Sequence, residues 1–102
     1  MSRPTMTMPV KVFVKWSPEK MEHLPLSCSY ITVAKFAEDA DHWPAECWSV
    51  VLDFPSPEIA HAPSFEATAR FLMPTAPWER LKTGRTFELY EGFKKTATVT
   101  VV

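Results

Sequence analysis

Ten prolines and only two glycines, Gly84 and Gly92, punctuate this 102-residue chain, and the prolines fall between runs of alternating or β-branched residues rather than within them. Proline has no amide hydrogen for a ladder and interrupts a helix, so a chain divided in this way folds as short strands joined by turns. Val10 to Trp16 places Val10, Val12, Val14 and Trp16 on one face and Lys11, Phe13 and Lys15 on the other, the pattern of a half-buried strand. Phe65 to Met73 alternates more cleanly still, with Phe65, Ala67, Ala69, Phe71 and Met73 directed inward and Glu66, Thr68 and Arg70 outward. Cys47 to Phe54 offers Trp48, Val50, Leu52 and Phe54 as one apolar face. Cys28 to Phe36 is also β-rich, but either of its faces could be the inner one.

Thr86 to Tyr90 and Phe93 to Val101 complete the set, with Glu91-Gly92 read as a two-residue hairpin connection that uses glycine where a left-handed backbone is needed. Between them and the preceding strand, Ala76 to Leu81 has room for one helical turn, ended by Gly84. Six strands in about 90 residues, spaced by turns, indicate an all-β fold, a small barrel or sandwich. The expected organisation is a flexible tail over residues 1–9 and a single β domain over residues 10–102. That length supports one hydrophobic core and no second one.

Apolar residues at 46% and charged residues at 23% give the balance of a folded globular protein. Eleven Lys and Arg against twelve Asp and Glu leave a net charge of −1, too little for a strong overall field toward phosphate backbones or anionic lipid. The first nine residues lack the apolar core of a signal peptide, and no stretch approaches the roughly 18 apolar residues of a membrane span, so a cytoplasmic location is the expectation. Cys28 and Cys47 have no Cys-x-x-Cys spacing, and in a reducing compartment both are expected as buried thiols. Two glycines cannot supply a phosphate-cradling loop, which excludes nucleotide hydrolysis of that type.

The segments Ala69-Arg70-Phe71-Leu72, Leu81 to Gly92 and Lys94 to Val99, together with the opening run Val10 to Pro18, resemble the C-terminal β-barrel domain of elongation factor Tu. The resemblance spans residues 10–102, and the chain is similar to small free-standing bacterial proteins of that type. It departs from the family where Thr96 to Val99 stands in place of a glycine-rich return strand, and where Cys28 to Trp48 replaces an aromatic segment. The resemblance implies a closed six-stranded Greek-key barrel, without the factor's GTPase domain, that acts by binding.

Among candidate functional residues, Trp43 and Trp78 lie beside Pro44 and Pro77 in connections, where a tryptophan serves either as an interface anchor or as a cap on the core. Lys11, Lys15, Arg85, Lys94 and Lys95, with Tyr90 and Phe93 nearby, could form a basic stripe for RNA, and lysines at such positions also guard sheet edges. Asp39, Asp41, His42, Glu46 and Cys47 cluster in sequence without the spacing of a zinc or calcium loop and read as a charged turn. A cysteine paired with His42 would make a small enzyme, but nothing marks either thiol as activated. Glu88 and Glu91 beside the hairpin read as solubilising charges, and His23 and His61 as surface residues. The expectation is a non-enzymatic module that needs no cofactor or metal and binds another protein, with RNA binding and cysteine-dependent catalysis as the competing classes.

Overall fold

In the computed structural model, which describes residues 9–41, 43 and 47–102, six strands close into one antiparallel barrel. They are β1 (Val10–Trp16), β2 (Ser29–Lys35), β3 (Trp48–Asp53), β4 (Ser64–Phe71), β5 (Thr86–Glu91) and β6 (Lys94–Val101). Around the barrel the order is β1-β4-β3-β2-β5-β6, with β6 returning to β1. Thus β2, β3 and β4 lie side by side while β1 pairs with β4 rather than β2, which is the strand order of a Greek key. The expected tail falls outside the described residues except for Pro9, as do His42 and Glu46.

Alternation decides what faces inward. Val12, Val14 and Trp16 of β1, Phe65, Ala69 and Phe71 of β4, and Val50 and Leu52 of β3 all enter the core, as their spacing predicts. In β2 the inward residues are Tyr30 and Ala34, with Phe36 just past the strand end, so Ile31 and Val33 point outward. Aromatic rings fill both ends of the barrel. At one end Phe36 stacks on Phe87 with centroids 4.6 Å apart and meets Phe71 at 5.7 Å. At the other, Trp16 touches Tyr30 and Phe65, and its indole N–H donates to the Ala60 carbonyl at 2.7 Å, satisfying its one buried polar atom.

Several expectations are corrected. The hairpin turn is Gly92-Phe93, not Glu91-Gly92, because Glu91 still pairs with Lys94 across the ladder. Gly92 has φ +65° and no described non-glycine residue has positive φ, so glycine occupies the first turn position, the type II′ arrangement. Phe93 is consequently a turn residue, 84% exposed. Met73 is exposed rather than inward, since β4 ends at Phe71 and a turn follows in which the Ala76 amide donates to the Met73 carbonyl. The helical turn over Ala76 to Leu81 is a single 3-10 turn, Trp78–Arg80. Both cysteines are exposed: Cys28 stands beyond the barrel rim just before β2, and Cys47 just before β3.

One irregularity is invisible in the sequence pattern. Between Leu89 opposite Ala97 and Tyr90 opposite Lys95, Thr96 has no cross-strand partner, so β6 carries a bulge there. The bulge turns both Thr96 and Ala97 into the interior. Thr96 is accommodated because its hydroxyl reaches the Leu89 carbonyl at 3.3 Å and the Tyr30 hydroxyl at 2.9 Å.

Candidate functional site

The outside of the barrel has two unlike halves. Over β6, β1 and β4 the outward residues are mostly threonines, lysines and acids, with Phe13 the one large apolar exception. Over β2 and β3 they include Ile31, Val33 and Val51 at the centre, with Ser29, Lys35, Ser49 and Asp53 around them. The register puts Ile31 opposite Val51, and Val51 in turn opposite Arg70. One step along, Val33 stands between Ser49 and Tyr90, and the Leu72 amide donates to the Ser49 carbonyl at 3.0 Å, which extends the face to Leu72. Val51 points away from the core yet is only 1% exposed, held between its cross-strand neighbours, while Ile31 beside it is 54% exposed. An exposed apolar group on one face, Ile31 and Leu72 with the half-buried Val33, is the kind of surface a docking site uses.

The rim carries one of the residues singled out from the sequence. The Trp43 ring lies 5.0 Å from that of Tyr90, and the Lys35 ammonium sits 5.9 Å and 6.0 Å from the two centroids. The Trp43 amide is fixed by donating to the Asp39 carbonyl at 2.8 Å. The Tyr90 hydroxyl donates to Glu88 at 3.0 Å, and the same carboxylate pairs with Lys95 at 3.2 Å. Partial burial raises the Glu88 carboxyl, but the Lys95 and Tyr90 hydrogen bonds outweigh it and hold the group below the usual carboxylate range. Burial, with the adjacent Glu88 charge, pushes the Tyr90 phenol up. On the opposite rim Arg70 pairs with Asp53 at 3.3 Å.

Trp78 stands apart from this face in the β4–β5 connection and is 49% exposed. Below it, Asp39 is buried and accepts from the Phe36 amide at 2.9 Å and from Arg80 at 3.1 Å. Asp39 therefore belongs to an ion pair in the wall of the barrel. Among the described residues no three His, Cys, Asp or Glu side chains gather as metal ligands.

The five basic residues are spread along β1 and β6, with Lys11 and Arg85 flanking the C-terminal end of β6 and Lys94 and Lys95 at its start. Lys11 and Lys15 share the outer face of β1. Lys94 and Lys95 begin β6, where Lys94 lies opposite Glu91 and Lys95 is bound to Glu88. Arg85 is at the far end of the hairpin, with its carbonyl accepting from the Val101 amide and its guanidinium on Glu38 at 2.6 Å. Cys28 and Cys47 border opposite ends of the paired strands β2 and β3, so they do not meet. His61 is exposed, with a ring nitrogen 3.2 Å from the Pro25 carbonyl. The apolar outer face was missed from sequence, although its signal was present: a strand whose two faces both read as apolar has one apolar face to spare.

No protein-family model, curated protein or solved structure matches this chain. Among the described residues no helix is long and apolar enough to cross a membrane.

Proposed function

We propose that this barrel is a non-enzymatic binding module whose partner is another protein, docked on the outer face formed by Ile31, Val33 and Leu72 with Trp43 and Tyr90 at its border. The observation that carries the reading is Ile31, 54% exposed on the outer face of β2, with the exposed Leu72 at the end of the same face, where an isolated barrel gains nothing by placing them. The closed six-stranded order and the quoted motifs together favour a barrel of the elongation factor Tu C-terminal type. Such a fold hosts many functions, so the argument rests on the face. RNA binding draws less support, because Arg85 and Lys95 are engaged by carboxylates and Arg85 lies at the opposite end of the hairpin from Lys94 and Lys95. Catalysis by a cysteine draws none from two thiols at opposite ends of a strand pair.

The test is quantitative affinity capture with wild-type protein and Ile31→Asp as baits, alongside melting curves of both. A protein retained by the wild type and depleted about tenfold from the variant, a loss of about 1.4 kcal/mol, is the expected result. Identical captured sets, or a captured nucleic acid with a steep salt dependence, would overturn the reading.

A further inference from the structure

The β2–β5 ladder is the shortest in the barrel. Strand β2 pairs with β3 from Ser29 to Ala34, but on its other side it pairs with β5 only from Val33 to Lys35. Main-chain groups alternate sides along a strand. The Phe54 amide donates to the Cys28 carbonyl, so Cys28, Tyr30 and Thr32 address β3, and Ser29 and Ile31 address the side where β5 has already turned away. The Ser27 hydroxyl contacts both the carbonyl and the amide of Ser29.

Side chains bridge the gap instead. Glu91, the last residue of β5, accepts from Lys20 at 2.8 Å and from the Tyr30 hydroxyl at 2.5 Å. The Lys20 ammonium also lies 4.8 Å from the centre of the Tyr30 ring. The bulged Thr96 places its hydroxyl against Tyr30 from β6, and the Thr32 hydroxyl donates to the Tyr90 carbonyl. The turn after β1, strand β2 and the β5–β6 hairpin are thus tied at one carboxylate.

We propose that Lys20, Tyr30, Glu91 and Thr96 form a latch that holds this seam shut while Glu91 is ionised, and that the seam opens locally, ahead of the rest of the barrel, when the latch is released. The groups facing the carboxylate are Lys20 from the turn, Tyr30 from β2, and Lys94 and Thr96 from β6. Partial burial raises the Glu91 carboxyl, but the hydrogen bonds from Lys20 and Tyr30 and the charges of Lys20 and Lys94 prevail and hold it below the usual carboxylate range. Its contribution is therefore complete above that range and is lost as pH falls through the lowered value. Opening bares the main-chain groups of Val33, which lies on the outer face of β2. The latch itself rests on the seam geometry and stands or falls apart from any docking role.

Amide hydrogen exchange of the whole chain, corrected for intrinsic rates, tests this with Tyr30→Phe and the isosteric Glu91→Gln. Protection at Val33 and Tyr90, across the seam, is expected to fall about tenfold or more in both variants, while Val12 and Ala67 in the β1–β4 ladder keep theirs. In the wild type, acidification should reproduce the selective loss, and Glu91→Gln should abolish that pH step. Equal loss at both ladders would make these residues general stabilisers, and unchanged seam protection would leave no latch; either result overturns the proposal.

Discussion

Replacing Asp39 by alanine should be among the most damaging single changes in this barrel. The carboxylate is buried and accepts two bonds, from the Phe36 amide at 2.9 Å and from Arg80 at 3.1 Å. Truncation leaves an amide uncapped and a guanidinium, only 18% exposed, without its nearest anion. Hydrogen bonds to charged groups contribute about 1.5–3 kcal/mol each, and breaking a buried pair costs about 3–5 kcal/mol. Arg80 keeps a second carboxylate, Glu38, at 3.9 Å, and some access to water, which places the loss at the lower end. The expected cost is about 3 kcal/mol, or about 12–24 °C in melting temperature for a domain of this size. Urea unfolding followed by tryptophan fluorescence measures it, and the same change in an Arg80→Met background should cost only about half as much, because only the amide cap is then lost. A cost under about 1 kcal/mol, or equal costs in the two backgrounds, would refute the assignment of Asp39 to a structural pair.

Gly92→Val should destabilise by about 1 kcal/mol or more purely through the backbone, since a β-carbon at that position meets no atom within 4 Å while φ is +65°; an unchanged melting temperature would mean the turn adopts another conformation. Trp78→Ala should cost less than about 1 kcal/mol because the side chain is half in solvent, and Trp43→Ala about 1–2 kcal/mol because it forfeits the Tyr90 contact. A loss of about 3 kcal/mol for Trp78→Ala in paired melts would instead make it a cap on the core.

Much of the barrel was legible because its strands alternate strictly. Phe65, Ala67 and Ala69 are separated by Glu66 and Thr68, and Val12 and Val14 are flanked by Lys11 and Lys15, which marks the inner face. β2 withheld its orientation for the opposite reason. Tyr30, Thr32 and Ala34 compete with Ile31 and Val33, and only pairing to β3 and β5 determines which set is enclosed. The apolar face could not be read before that choice was made. The bulge at Thr96 was hidden because Thr96 reads as the first outward threonine of the run Thr96 to Val101 and the preceding Lys94-Lys95 shows no alternation to contradict it. The hairpin was placed one residue early since Glu91 reads equally well as turn or strand, and its bonds to Lys20 and Tyr30 come from far along the chain. Arg85 was expected near Lys94 and Lys95, but proximity across a hairpin depends on register, which sets Arg85 beside Val101 instead.

The place of β6 between β5 and β1 also governs the order in which this chain can fold. As synthesis proceeds, β2, β3 and β4 can pair as they emerge, and β1 can join β4, but β1 and β5 each keep a bare edge until the last strand is out. The closing step joins residues far apart in sequence, such as Val14 with Val99, so it is entropically slow and comes late. Until then the nascent protein is an open sheet with two sticky margins. Its exposure to aggregation lasts as long as β6 takes to close the sheet.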